Sequence, residues 1–141
     1  MKFKVSGEIR HYPKRLYNKL EGLKPPEGFE CNGCSCSPDY WRGKPIWVGC
    51  VLHDYAYVLG NTWADRYDAD KNFYYNLKKI LIEKGISNIE ATSAAWLYWG
   101  RVRLWGAQHF NFSDKEEPLS FWQRFREVYG IFKDKRNHSQ I

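Results

Sequence analysis

The chain has 141 residues and a formal net charge of +6, a length that suits one domain with a core of its own. Charged residues make up 27% of it and no apolar run approaches the length of a bilayer span, so a membrane-crossing helix is not expected. Lys and Arg are spread along the chain, and no zinc-finger, P-loop or RNA-recognition signature occurs; this argues against a specific nucleic-acid partner and leaves an anionic surface as the partner class that the charge favours.

Lys2 to Ile9 alternates polar and apolar residues and reads as a short strand or extended arm. The first ten residues lack the apolar core and small-residue cleavage site of a signal peptide, so the chain is expected to stay inside, or to have lost a leader. A brief helix around Lys14 to Leu20 should end near Gly22, and Pro25, Pro26 and Gly28 close the section. Phe29 to Gly43 is loop by composition, rich in Cys, Gly, Ser and Pro. A helix is expected from about Ile46 to Leu59, stopped by Gly60, because glycine suits the left-handed position after a helix C-terminus.

Thr62 followed by Asp65 imitates a capping box and opens a helix that reaches Lys84. On it Trp63, Tyr67, Asp70, Phe73, Tyr74, Leu77 and Leu81 recur at three- and four-residue steps, an apolar stripe interrupted by one carboxylate. An acid facing a core is costly unless paired, so a histidine or tyrosine is expected opposite Asp70; the plainer alternative is an ion pair with Arg66 one turn earlier. Ser87 with Glu90 reads as a true capping box for a third helix towards Gly106, apolar through Ile89, Ala91, Ala94, Ala95, Trp96, Trp99, Val102 and Trp105, and expected to be the central helix of the core. Pro118 begins a last helix with Leu119, Trp122, Phe125, Val128 and Phe132 along one face. The expectation is a single all-α domain over residues 1–141.

The chemistry concentrates in two stretches, Asn32-Gly33-Cys34-Ser35-Cys36-Ser37-Pro38-Asp39 and Cys50-Val51-Leu52-His53-Asp54-Tyr55-Ala56-Tyr57. On a helix His53 and Tyr57 share a face, whereas Asp54 points about 100° away, so one helix can hold a base on one side and a metal ligand on the other. Cys31, Cys34, Cys36 and Cys50 allow three disulfide pairings, a zinc site completed by His53, or free thiols. His11, His109 and His138 have no partner pattern and read as surface or structural residues.

These residues resemble the phospholipase A2 superfamily, whose active-site helix carries Cys-x-x-His-Asp-x-x-Tyr, as Cys50, His53, Asp54 and Tyr57 do here. The nearest branch is the small bacterial and fungal secreted type, with a calcium loop similar to Asn32 to Asp39 and an Asp-x-x-Phe similar to Asp70 to Phe73. The resemblance covers Asn32 to Leu77. It implies antiparallel helices carrying His53 and Asp70, a Cys34–Cys50 bridge, a His53 base oriented by Asp70 with Tyr57 bonded to that carboxylate, and calcium held by Asp54, Asn32 and loop carbonyls including Gly33. Asn32 replaces an anionic ligand of that branch, and calcium affinity tracks ligand charge, so weak binding is expected. The implied activity is hydrolysis of the sn-2 ester of glycerophospholipids at a membrane surface. The basic charge and the abundance of Trp and Tyr add the expectation that Tyr40, Trp41 and Trp47 ring the site, with Arg42 and Lys44 attracting anionic headgroups. A similarity to uncharacterised phage-associated proteins runs through Val51 to Tyr57, Arg66 to Phe73 and Val102 to Gly106; it implies the alternative of a non-catalytic structural or binding protein of phage or envelope that retains the fold.

Overall fold

The computed structural model describes residues 1–32 and 38–112. The expected helix from Pro118 lies outside these residues, as do Gly33, Cys34, Cys36 and His138. The described chain is mostly helical, with α1 (Lys14–Lys19), α2 (Trp47–Leu59), α3 (Trp63–Glu83), α4 (Asn88–Trp105) and a 3-10 turn at Gly106–His109.

The all-α expectation needs correction, because two small sheets accompany the helices. The predicted single arm is a hairpin: β1 (Lys2–Val5) pairs antiparallel with β2 (Glu8–His11), Lys2 opposite His11, around a turn in which Ser6 and Gly7 both have positive φ. Such a turn matches the twist of the flanking strands. β3 (Glu30–Cys31) adds parallel to β1, giving the order β2-β1-β3, and β4 (Tyr40–Trp41) with β5 (Lys44–Pro45) forms a separate ribbon. The alternation of Lys2 to Val5 does mark a strand, but the turn back into β2 is not read from it, and the two-residue β3, paired with β1 over a long range, is too short for a periodic signal. Phe3 and Val5 are buried on the inner face of β1, and Phe3 and Tyr12 meet the Trp47 ring edge-on at the start of α2.

The helices pack as antiparallel neighbours, α3 between α2 and α4. The N-terminal half of α2 is buried continuously from Trp47 to Leu52, and α3 buries Phe73, Leu77, Ile80 and Leu81 beside it. Each such aliphatic side chain contributes about 1.5–3 kcal/mol through burial. Thr62 and Asp65 do form the capping box, with Asp65 N–H donating to Thr62 Oγ1 at 3.2 Å and Thr62 N–H donating to Asp65 Oδ2 at 3.0 Å.

The reading of α4 is corrected twice. Ser87 accepts from Glu90 N–H at 3.2 Å, but the Glu90 carboxylate turns away from the cap and accepts from Trp41 Nε1 at 3.0 Å while pairing with Arg42 at 2.5 Å. A charge-assisted tie to the β4–β5 ribbon thus displaces the second half of the box. Nor is α4 the enclosed centre of the core: Ala91, Ala94, Ala95 and Trp99 are buried, whereas Ile89, Leu97 and Trp105 are exposed on the opposite face. α3 is the middle helix instead.

The segment after α4 folds back over the end of α2. Gly60 has φ 64°, and an added Cβ there would lie 1.8 Å from the Asn111 carbonyl oxygen, so only glycine admits this approach. Asn61 N–H donates to that oxygen at 2.9 Å, and Asn111 N–H donates to the Tyr57 carbonyl at 3.2 Å, supplying partners for backbone groups that the end of α2 leaves open.

Candidate active site

His53 and Tyr57, one turn apart on α2, both face Asp70 on α3. Asp70 Oδ1 accepts from His53 Nε2 at 2.6 Å and from the Tyr57 hydroxyl at 2.6 Å. Its other oxygen, Oδ2, accepts from Arg103 Nη1 at 2.6 Å, with Arg66 Nη2 at 3.9 Å. Asp70, Arg66 and Arg103 are all fully buried, and the His53 side chain is 11% exposed. The misfit acid of the α3 stripe therefore has its histidine and its tyrosine. The alternative partner Arg66 is present too, at a longer distance, with its Nη2 donating to the Val102 and Arg103 carbonyls at 2.8 Å each.

Burial by itself would raise the Asp70 carboxyl, but the charge of Arg103, the hydrogen bond and charge of His53 and the charge of Arg66 outweigh it and hold the group at about 2. An ionised carboxylate only accepts, so the shared proton is assigned to His53 Nε2, and Nδ1 keeps its lone pair. Burial, together with the negative charge of Asp70, pushes the Tyr57 phenol well above its ordinary range, so it serves as a donor. The imidazole is further fixed by stacking on Phe73, ring centroids 4.4 Å apart and planes at 29°, and by the Tyr57 ring at 4.2 Å. Gly106 makes room for that tyrosine, since a Cβ there would stand 2.6 Å from its hydroxyl oxygen.

A cavity of about 290 Å³ opens beside His53 between α2, α3 and the loop after α1. Leu52, Ala56, Leu59, Ala69 and Phe73 form its apolar wall, and Glu21, Asp65, Asp68 and Asn72 are among its polar lining. The loop wall is pinned by Asn76, which accepts from Glu21 N–H at 2.7 Å and donates to the Glu21 carbonyl at 3.0 Å.

The expected metal ligands are less completely placed. Asp54 is half-buried, and burial pushes its carboxyl up from the ordinary value, with His53 and His109 opposing. Asn32 is exposed directly after β3, a strand that packs against α2, and its carbonyl accepts from the Ser6 hydroxyl at 2.9 Å. Gly33 lies outside the described residues. One carboxylate and one amide, with the loop carbonyls that the resemblance implies, would make an all-oxygen donor set of the kind that suits a hard cation. Among the described residues no three His, Cys, Asp or Glu side chains converge as a metal-binding group. Asp39, at the far end of the same loop, pairs with Arg10 at 2.9 Å, and its carbonyl accepts from Ile46 N–H. The Pro38 carbonyl accepts from the Tyr98 hydroxyl at 2.7 Å. Cys50 is buried on α2, and Cys31 is buried in β3.

The aromatic trio expected around the site does not form a common rim. Trp47 is only 3% exposed, because it fills the space between β1 and Tyr12. Trp41 is half-buried and tied to Glu90, and of the three only Tyr40 is broadly exposed. His11 and His109 are exposed, as expected of surface histidines.

Arg103 is the site residue that sequence reasoning missed. It continues the buried line Ala91, Ala95 and Trp99 at four-residue steps, so a cation on an apolar helix line was the available signal that α4 faces a buried anion. Comparison with family models, curated proteins and solved structures finds no match. The functional reading therefore rests on the site itself.

Proposed function

We propose that the protein is a calcium-dependent hydrolase of the phospholipase A2 type, which cleaves the sn-2 ester of glycerophospholipids. The observation that carries this reading is the 2.6 Å hydrogen bond between His53 Nε2 and Asp70, with Tyr57 on the same carboxylate oxygen, which leaves Nδ1 as the basic nitrogen of an oriented imidazole beside an apolar-walled cavity. His53 Nδ1 takes a proton from a water as the water oxygen attacks the ester carbonyl carbon. Asp70 stabilises the resulting imidazolium and keeps its orientation, and Tyr57 and Phe73 keep the ring in place. The tetrahedral centre then breaks its bond to the glycerol oxygen, which receives the proton from His53, giving a free fatty acid and a lysophospholipid.

Asp54, Asn32 and the Gly33 carbonyl are the residues that would hold calcium, and the amide at Asn32 makes the affinity weak. When bound, calcium supplies Lewis-acid polarisation of the ester carbonyl and attraction for the lipid phosphate. The partner surface is anionic phospholipid. The net charge of +6 supports this, as do Lys71, Lys78 and Lys79 on a face of α3 that also carries exposed Tyr75 and Ile82 and lines a shallow groove adjoining the His53 cavity.

The test is release of free fatty acid from mixed phospholipid vesicles with and without calcium. Release should require calcium, be faster on anionic than on zwitterionic vesicles, and fall by about 10²- to 10⁴-fold in His53→Gln with the fold intact. Release that persists in that variant, or none from the wild-type protein with calcium on either vesicle, removes the reading.

A further inference from the structure

The pair His53–Asp70 spans α2 and α3, but the group that fixes the carboxylate comes from a third helix, 33 residues beyond Asp70 in the chain. Arg103 approaches Asp70 from α4, on the oxygen that His53 and Tyr57 leave open, at 2.6 Å. Its guanidinium lies over the Tyr67 ring, 5.5 Å from the centroid, which restrains it from the side. Arg66 stands at 3.9 Å from the same oxygen and spends its Nη2 on the Val102 and Arg103 carbonyls, so it locks the Arg103 backbone and is not the closer contact to the carboxylate. One turn on, Gly106 gives the Tyr57 ring its room. The last turn of α4 thus governs both other occupants of the Asp70 carboxylate.

We propose that Arg103 is a positioning residue: by its charge and its contact with Oδ2 it holds the Asp70 carboxylate in the orientation that presents Oδ1 to His53 Nε2–H, and thereby keeps the imidazole in one tautomer. The inference deepens the hydrolase reading and rests on it for its consequence in catalysis, but its structural core does not depend on any activity. Without this cation Oδ2 keeps only the Arg66 guanidinium at 3.9 Å, so the carboxylate is held through Oδ1 alone and can turn, and the acceptor offered to the imidazole is no longer fixed in one orientation. Arg103 touches neither substrate nor water in this scheme and acts only through Asp70. Its loss therefore lowers kcat and leaves KM in place, because lipid binding uses other residues.

The experiment uses the full chain labelled with ¹⁵N-histidine, with the His53 ring nitrogens read by NMR at a pH well above the ordinary histidine range, in wild type, Arg103→Gln and Arg103→Lys. The wild type should show a single tautomer, protonated at Nε2 and shifted downfield by the short hydrogen bond. A folded Arg103→Gln should show averaging between both tautomers, and Arg103→Lys, which keeps a charged donor, should restore the wild-type pattern. An unaltered His53 spectrum in Arg103→Gln overturns the proposal; if that variant does not fold, loss of the single tautomer in a folded Arg103→Lys overturns it as well. In the vesicle assay, Arg103→Gln should lower kcat by about ten- to a hundredfold with KM unchanged, a size typical of groups that orient an active-site ligand. A wild-type protein with the expected tautomer but no hydrolysis would remove the hydrolase reading and leave the positioning role standing.

Discussion

The two halves of the site are held by different physics. On the inner side Asp70, Arg103, Arg66 and Tyr57 are excluded from water, and the groups around the carboxylate come from three helices, α2, α3 and α4. On the outer side the loop that begins at Asn32 is anchored at its described ends by the Ser6 hydroxyl, by Arg10 on Asp39 and by the Tyr98 hydroxyl on the Pro38 carbonyl. A buried charge cluster tolerates no missing member, because each remaining charge is left in a medium that cannot solvate it, whereas a loop tied by near-surface contacts loses them one at a time. The half proposed to handle the proton is therefore held by mutually dependent charges, and the described ends of the half proposed to hold the cation by separate contacts.

Removing the buried charge while keeping its shape perturbs the inner side most. Asp70→Asn leaves Arg103 and Arg66 without their carboxylate and should cost about 3–5 kcal/mol of stability, measured by urea unfolding. Asp68→Asn, two residues earlier on the same helix, concerns an exposed carboxylate 3.9 Å from Lys71 and should change stability by no more than about 0.5 kcal/mol. Equal effects from the two substitutions would show that the buried cluster does not depend on the Asp70 charge.

On the outer side, a Cys34–Cys50 disulfide is the proposed tie between the loop and α2. It closes a segment for which chain entropy gives about 3 kcal/mol, so reduction should lower stability by that order and expose the loop to proteolysis before the helices. Peptide mapping under non-reducing conditions should recover the Cys34–Cys50 pair. Cys34 joined to another cysteine, or zinc retained by thiolates, would contradict the assignment.

Acid should attack the inner half next. The Asp70 carboxyl is held at about 2 against an ordinary value of 3.8, and a depressed folded-state value contributes stability that is complete above the unfolded value and lost as pH falls through the folded one. The contribution is about 2 kcal/mol. It should fade between about pH 4 and pH 2, seen as a falling urea midpoint in wild type that is absent from Asp70→Asn over the same window. A parallel fall in both proteins would assign acid sensitivity to other carboxylates.

Much of the inner half was legible in sequence, because helix periodicity is a local property. The step from His53 to Tyr57 and the carboxylate in the α3 stripe were enough to bring those three groups together on paper. Arg103 was not found, since an arginine among tryptophans on α4 also reads as an ordinary solvated position until α3 is placed beside it. The same blindness to tertiary context made Ile89 and Trp105 look like core, and Trp47 like rim, when the chain buries the opposite sets. The alternation from Lys2 was enough to read β1 as a strand, whereas its hairpin partner β2 and the parallel β3 were missed, because they are specified by a turn and by a distant partner. Gly33 and Cys34, the expected calcium-binding carbonyl and the expected disulfide partner of the loop, lie outside the described residues.

The smallest expected effect sharpens the contrast most finely. Arg10 reaches from β2 to Asp39 at 2.9 Å, and their side chains are 17% and 19% exposed, so this ion pair is neither buried nor fully solvated. The Arg10 guanidinium also sits 5.8 Å from the Trp47 ring centroid, and the Asp39 carbonyl accepts from Ile46 N–H at the entrance to α2. The pair thus couples the end of the loop to the start of the helix that carries His53 and Asp54. Arg10→Gln should cost no more than about 1 kcal/mol of stability, as expected for a pair of this exposure. If the loop holds the cation, the same substitution should weaken calcium binding, followed by calorimetry on the full chain, and should leave the His53 tautomer unchanged in ¹⁵N spectra. A change in the His53 ring without a change in calcium affinity would reverse the assignment and place Arg10 on the inner side of the site.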